Sequence, residues 1–180
     1  MAALPIVYDG DPAFRDDLLA VVERVAQRAA TARHYQHLAA GQWERSGAAA
    51  GAETRLKGIF YALRPCAVLH WMAATRGGDA GTPPVPPMNL GELFDQAPPP
   101  ADVRSAVDEL TARKAVTREL GTGSVPDPVR RFVETWLAVD AADLADRVGA
   151  EPEPDVESSQ AARRVAADGF RSLLDRWAPA

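Results

Sequence analysis

With a single cysteine, Cys66, the 180-residue chain has no partner for an intrachain disulfide, and the usual Cys and His spacings of a zinc site are absent. A reducing, cytoplasmic setting is the expectation that follows. Isoleucine, threonine and tyrosine are scarce beside alanine, leucine, arginine and glutamate, a balance that favours helix over strand, so no sheet is expected. A basic surplus is missing too: the formal net charge of -5 argues against a general polyanion binder and leaves room only for a local basic face. No apolar run approaches the roughly 20 residues that cross a bilayer, and Met1 to Val7 has neither a basic n-region nor a long apolar core. The expectation is a protein neither exported nor membrane-spanning.

What is present reads as a chain able to fold, at 47% hydrophobic and 25% charged residues. Asp11-Pro12 has the form of an N-cap and first helical residue, and Phe14, Leu18, Leu19, Val22 and Val25 then recur at helical spacing, predicting a helix over about Pro12 to Val25. A second pattern through Ala32, Tyr35, Leu38, Ala39 and Trp43 ends at Ser46-Gly47, where glycine can take the left-handed conformation. A central helix from Arg55 to Met72 carries Pro65, which removes a backbone donor and predicts a bend. The glycine and proline run Arg76 to Pro87 predicts an exposed loop. Asn89 with Glu92 predicts a capping box for a short helix ending near Gln96, and a further helix is expected over Ala101 to Leu120. Asp127-Pro128 predicts another running on to about Val148. The acidic, proline-containing stretch over 149–158 reads as a solvated linker before a last helix over 159–180, whose Val165, Phe170, Leu173, Leu174 and Trp177 can dock on the body. The expected fold is therefore all-α: a bundle of about six to seven helices with a proline-bent central helix, laid out as a helical body over 1–148, the linker and the docking helix.

Leu56-Lys-Gly-Ile-Phe-Tyr-Ala-Leu-Arg-Pro65, Trp71, the Pro86-Pro87-Met88 to Glu92-Leu93 element and Lys114 to Glu119 occur in this order, with Pro5-Ile-Val-Tyr8 and His34-Tyr35 upstream. This ordered set, spanning Leu4 to Val139, resembles the C-terminal helical part of the bacterial predicted-nucleotidyltransferase family within the DNA polymerase beta superfamily. The catalytic half of that family carries a Gly-Ser turn and paired carboxylates that hold two magnesium ions. Here Gly123-Ser124 is followed by Asp127 between Pro126 and Pro128 without a second carboxylate, and Asp16-Asp17 has no Gly-Ser turn before it. The resemblance thus implies the substrate-facing half without the catalytic one: no catalytic residues, no metal ligands, and magnesium only where a catalytic half is present.

Lys57, Tyr61, Arg64, Val68 and Trp71 are spaced by 4, 3, 4 and 3, which places them on one helical stripe. Such a stripe suits phosphates and a base: lysine gives a compact charge, arginine a bidentate fork, tyrosine a donor or stacking surface. By resemblance, Lys57 touches nucleotide phosphates. The competing reading puts Tyr61, Val68 and Trp71 in the core while Lys57 and Arg64 reach water or acids such as Glu53. His34 and His37 need a third ligand for a metal, so His34-Tyr35 reads better as a substrate-facing or interface pair, and Cys66 as a buried, inert thiol. The arginines of the last two helices read as a solvated face, and Trp43, Trp71, Trp136 and Trp177 as core anchors. The leading expectation is a non-catalytic helical domain that binds a nucleotide or nucleic-acid end through Lys57, Tyr61, Arg64, His34 and Tyr35, or completes the cleft of a separate catalytic half. The alternative is an interaction or scaffold module that exposes an apolar patch and self-associates or binds a protein partner. A third reading, an enzyme using Asp9 and Asp11, lacks a recognisable site.

Overall fold

The computed structural model describes residues 11–48, 53–76, 85–116, 121–150 and 156–178. Helix α1 spans Pro12–Val25 as the pattern predicts, opened by Asp11, whose carboxylate accepts from the Ala13 amide at 2.8 Å, and by Pro12 in the first turn. Helix α2, Arg28–Ser46, ends at Gly47, whose φ of 75° is the left-handed cap expected of it. Helix α3, Leu56–Ala74, is the centre of the molecule, with eleven of its residues buried, among them Ile59, Leu63, Val68 and Trp71. It continues through Pro65 without a break, although the Tyr61 carbonyl loses the amide four residues on.

Around α3 the chain adds α4 (Leu90–Gln96), α5 (Ala101–Val116), α6 (Asp127–Leu137), α7 (Ala141–Arg147) and α8 (Val156–Trp177), giving eight helices among the described residues. The count exceeds six to seven because the pattern from Asp127 to Val148 is two helices. Asp140 interrupts it by accepting from the Ala142 and Asp143 amides at 2.9 Å each, an N-cap that restarts the chain in a new direction. Asn89 caps α4 through the Gly91 and Glu92 amides, as expected. Leu93 and Phe94 of α4, Val103, Val107 and Leu110 of α5, and Val129, Phe132, Val133 and Trp136 of α6 close one core with α2 and α3.

Three departures from the pattern-based expectations have local causes. A two-residue ladder exists where composition predicts no sheet: β1 (Thr54–Arg55) runs antiparallel to β2 (Thr122–Gly123), with Thr54 opposite Gly123 and Arg55 opposite Thr122. It satisfies backbone groups just before α3, and the Leu56 amide adds a bond to the Gly121 carbonyl at 3.2 Å. Pro86 and Pro87 are buried rather than exposed, since their apolar rings close over the core, Pro86 near Trp71 and Met72. Helix α8 begins at Val156, inside the stretch that reads as linker. Residues 77–84, 117–120 and 151–155, with Pro5 to Tyr8 and Asp9, lie outside the described residues.

Polar ties hold the ends of helices together. Arg28 donates from Nε to the Val148 carbonyl, from Nη2 to the Met72 carbonyl, and at 3.2 Å to Thr75 Oγ1. Burial lowers its basicity. Gln36 Nε2 donates to the carbonyls of Trp136 and Val139 at 3.1 and 2.7 Å, fixing the end of α6 on α2. Helix α8 packs on α1: Trp177 Nε1 donates to Asp17 at 2.9 Å, Arg176 pairs with the same carboxylate, and Gly169 leaves room for Val21. No residue of α1 is fully buried, and Phe170 and Leu174 of α8 remain 59% and 47% exposed.

Candidate functional site

One side of the first three turns of α3 faces solvent. Lys57 is exposed, Tyr61 is 56% exposed and Arg64 half-exposed, whereas Val68 and Trp71 further along the same stripe are buried. The stripe is therefore split. Its C-terminal end belongs to the core, where Trp71 Nε1 donates to Gln96 Oε1 at 2.8 Å, and its N-terminal end faces out, which removes Tyr61 from the core that one reading gave it.

The turn at Gly47 and the β1–β2 ladder bring other segments to that open end. The C-terminal turn of α2 supplies Gln42 and Arg45, the strand supplies Arg55, and together with Glu53, Lys57 and Tyr61 they line a hollow of about 650 Å³. A smaller hollow of about 120 Å³ adjoins it, lined by Tyr35, Leu38, Phe60, Tyr61, Arg64 and Pro65, with Gln42 and Tyr61 shared between the two. Arg64 Nη2 sits 3.5 Å from Met88 Sδ, and the His34 ring stands edge-on to Tyr35 with centroids 5.5 Å apart. Four of the five residues expected at the site thus line one connected surface, and His34 flanks it through Tyr35.

The larger hollow carries three cations, Arg45, Arg55 and Lys57, against one carboxylate, Glu53. Among the described residues none of the three cations is held in an ion pair, while Arg104, Arg131, Arg171 and Arg176 are each paired elsewhere. Arg55 precedes α3 as its N-cap residue and is exposed, with its side chain on the lining of the hollow. Arg45, Arg55 and Gln42 are not singled out by the sequence patterns. Their only signal is position, at a helix end and directly after a small-residue turn, and the fold of that turn decides whether they meet.

Other candidates are accounted for by packing. His70 Nε2 lies 3.2 Å from the Pro98 carbonyl, with its ring edge-on to Phe132 and Trp136. Among the described residues no group of three His, Cys, Asp or Glu side chains could hold a metal ion. Burial pushes the Cys66 thiol up, so it stays protonated and unreactive. Asp17 is taken by Trp177 and Arg176, and Asp127 is the exposed first residue of α6. Trp43, Trp71 and Trp136 are core anchors as expected, and Trp177 is half-buried on α1. No helix among the described residues is long and apolar enough to cross a membrane.

The described residues thus form an almost wholly helical body with a basic and aromatic concavity on its α2–α3 face. Residues 1–162 match the family model of the RNA repair pathway DNA polymerase beta family, and the chain belongs to that family. Comparison with curated proteins and with solved structures gave no match.

Proposed function

We propose that this chain is a helical domain that binds a nucleotide or a nucleic-acid end on the α2–α3 face, without performing transfer itself, or that completes the cleft of a separate catalytic half. The observation that carries this reading is the convergence of Lys57, Tyr61, Arg64 and Tyr35 on two adjoining hollows, with His34 at their edge. Cations and aromatic rings on one concave surface supply what a phosphorylated, planar ligand needs. No cofactor is assigned to the chain; magnesium enters with a catalytic half.

The test is a thermal melt against ATP, CTP, GTP and UTP, with and without magnesium, in the parent and in a Lys57→Ala, Arg64→Ala double variant. A ligand at 100-fold its dissociation constant should add about 2.7 kcal/mol to stability. A shift in the parent that the double variant loses supports binding at this face; absence of any shift removes it.

A second reading, a scaffold module, draws on the α1–α8 pair. Phe14, Val156, Val165, Phe170 and Leu174 make up most of the exposed large apolar side chains among the described residues, the others being Leu38 and Tyr61. Exposed apolar side chains on this helix pair suit self-association or a protein partner. Sedimentation across a concentration series, repeated with Phe170→Glu, checks it: a monomer at every concentration in both would remove the self-association arm.

A further inference from the structure

The two hollows differ in chemistry, and the difference has a direction. Arg45, Arg55 and Lys57 stand only on the larger one, while Tyr35 and Phe60 stand only on the smaller one, with Tyr61 and Gln42 between them. Resting on the binding reading above, we propose that the surface is bipartite: Arg45, Arg55 and Lys57 take a terminal phosphate, and Tyr35 and Tyr61 take the ring of the nucleoside that carries it. The ligand class is then a nucleoside with a phosphate monoester at its end.

Charge distinguishes that end from an interior linkage. Three cations against Glu53 leave the hollow two positive charges in excess, within a chain of formal net charge -5. A phosphate monoester has a second pKa of about 6 and so carries nearly two negative charges at neutral pH, whereas a phosphodiester carries one. A doubly charged end fills the excess, and a diester leaves part of it unmet. Among the described residues Arg45, Arg55 and Lys57 are in no ion pair, so a ligand has no existing pair to displace. Two arginines also offer planar forks that match phosphate oxygens, which a single lysine cannot. Gln42 lies where the sugar would pass from one hollow to the other, with an amide that both donates and accepts.

The Glu53 carboxylate gives the proposal a signed consequence. Lining the same hollow as the cations, it opposes an anion, so its removal should strengthen phosphate binding while loss of the arginines weakens it. Neither effect should extend to a ligand without a terminal phosphate.

The experiment measures affinity by isothermal titration for adenosine, AMP, and a hexa-adenylate RNA with and without a terminal phosphate, using the parent chain, Arg45→Ala with Arg55→Ala, Glu53→Gln, and Tyr61→Ala. In the parent, removal of the phosphate should weaken binding by about tenfold or more, the value of a charge-assisted contact. The double arginine variant should lose a similar factor for phosphorylated ligands and stay within about twofold for the others. Glu53→Gln should tighten phosphorylated ligands alone, and Tyr61→Ala should weaken both forms together. AMP behaving like the phosphorylated strand identifies a free mononucleotide as sufficient; affinity confined to the strand identifies a polymer end, and either supports the two-seat surface. Binding that ignores the terminal phosphate, or an arginine variant that weakens all ligands equally, overturns the proposal while leaving the binding face standing. No binding of any ligand by the parent removes both. Glu53, Arg55 and Tyr61 are exposed, as is Arg45, so unliganded melting points should coincide.

Discussion

Replacing Arg28 by methionine sets two effects against each other, and the structure says which is larger. Arg28 opens α2, where a positive charge faces the positive end of the helix dipole and no acid stands in the first turn. On that ground alone the loss of charge should stabilise α2 by about 0.3–1 kcal/mol. The same guanidinium, however, donates to the Met72 carbonyl in the last turn of α3 and to the Val148 carbonyl that closes α7, and reaches Thr75 Oγ1 at 3.2 Å. Those carbonyls are the negative ends of two helices, and a hydrogen bond from a charged donor contributes about 1.5–3 kcal/mol. Two such bonds, partly replaced by water because the site is half-buried, outweigh the dipole term and leave a net loss of about 3 kcal/mol. For a chain of this size that is a fall of roughly 6–12 °C in the melting midpoint. Methionine keeps most of the aliphatic stem, so lost packing adds little. Urea unfolding followed by far-ultraviolet circular dichroism, with Arg28→Lys as the charge-preserving control, reads the effect. A loss below about 1 kcal/mol in Arg28→Met would show that water replaces the guanidinium at both carbonyls and that it does not tie the three helices.

Two further predictions come from burial and backbone. Burial raises the Cys66 thiol above its ordinary 9.0, so the unfolded chain loses that proton at a lower pH than the folded chain does. Stability should therefore decline as pH rises past about 9, by up to 1.4 kcal/mol per pH unit, and the decline should be shallower in Cys66→Ala when denaturant midpoints are compared between pH 8 and 10.5. Gly149 has a φ of 60°, and an added Cβ would stand 2.6 Å from Arg76 Cβ and 3.1 Å from its carbonyl oxygen. Gly149→Ala should lose about 2–3 kcal/mol from strain and clash together, whereas Gly47→Ala, at φ 75° with open space around it, should lose only about 1 kcal/mol in the same urea assay.

Elements with a strong local signal are legible in the amino-acid sequence. Asp11-Pro12, Ser46-Gly47 and Asn89 each combine a residue with a backbone duty that few others can perform, and each sits where that duty places it. Asp140 performs the same duty as Asp11 but has no proline after it and lies among Ala138, Val139, Ala141 and Ala142, so helical propensity on both sides hides the break. The ladder is illegible because Thr54 and Gly123 pair across a long separation, and two-residue strands carry no alternation to detect. At the site, helical spacing aligns Lys57, Tyr61 and Arg64, since that depends on α3 alone. The same spacing also aligns Val68 and Trp71, because periodicity reports a face and not how far along that face the neighbouring helices reach. Arg45 and Arg55 depend on the turn between α2 and α3, which no local pattern describes.

The β1–β2 ladder puts a latch on this concavity. One wall, Arg55, and part of the rim, Thr122, are held by a pairing only two residues long, while Lys57 and Tyr61 ride on the most buried helix of the molecule. Structure with so few bonds opens at a free energy well below that of global unfolding. The concavity is thus made of unequal parts: a floor on the buried α3 and a side held by few backbone bonds. A ligand that grips both should hold the ladder shut, and amide exchange at Leu56, whose bond to Gly121 extends the ladder, should then slow with occupancy.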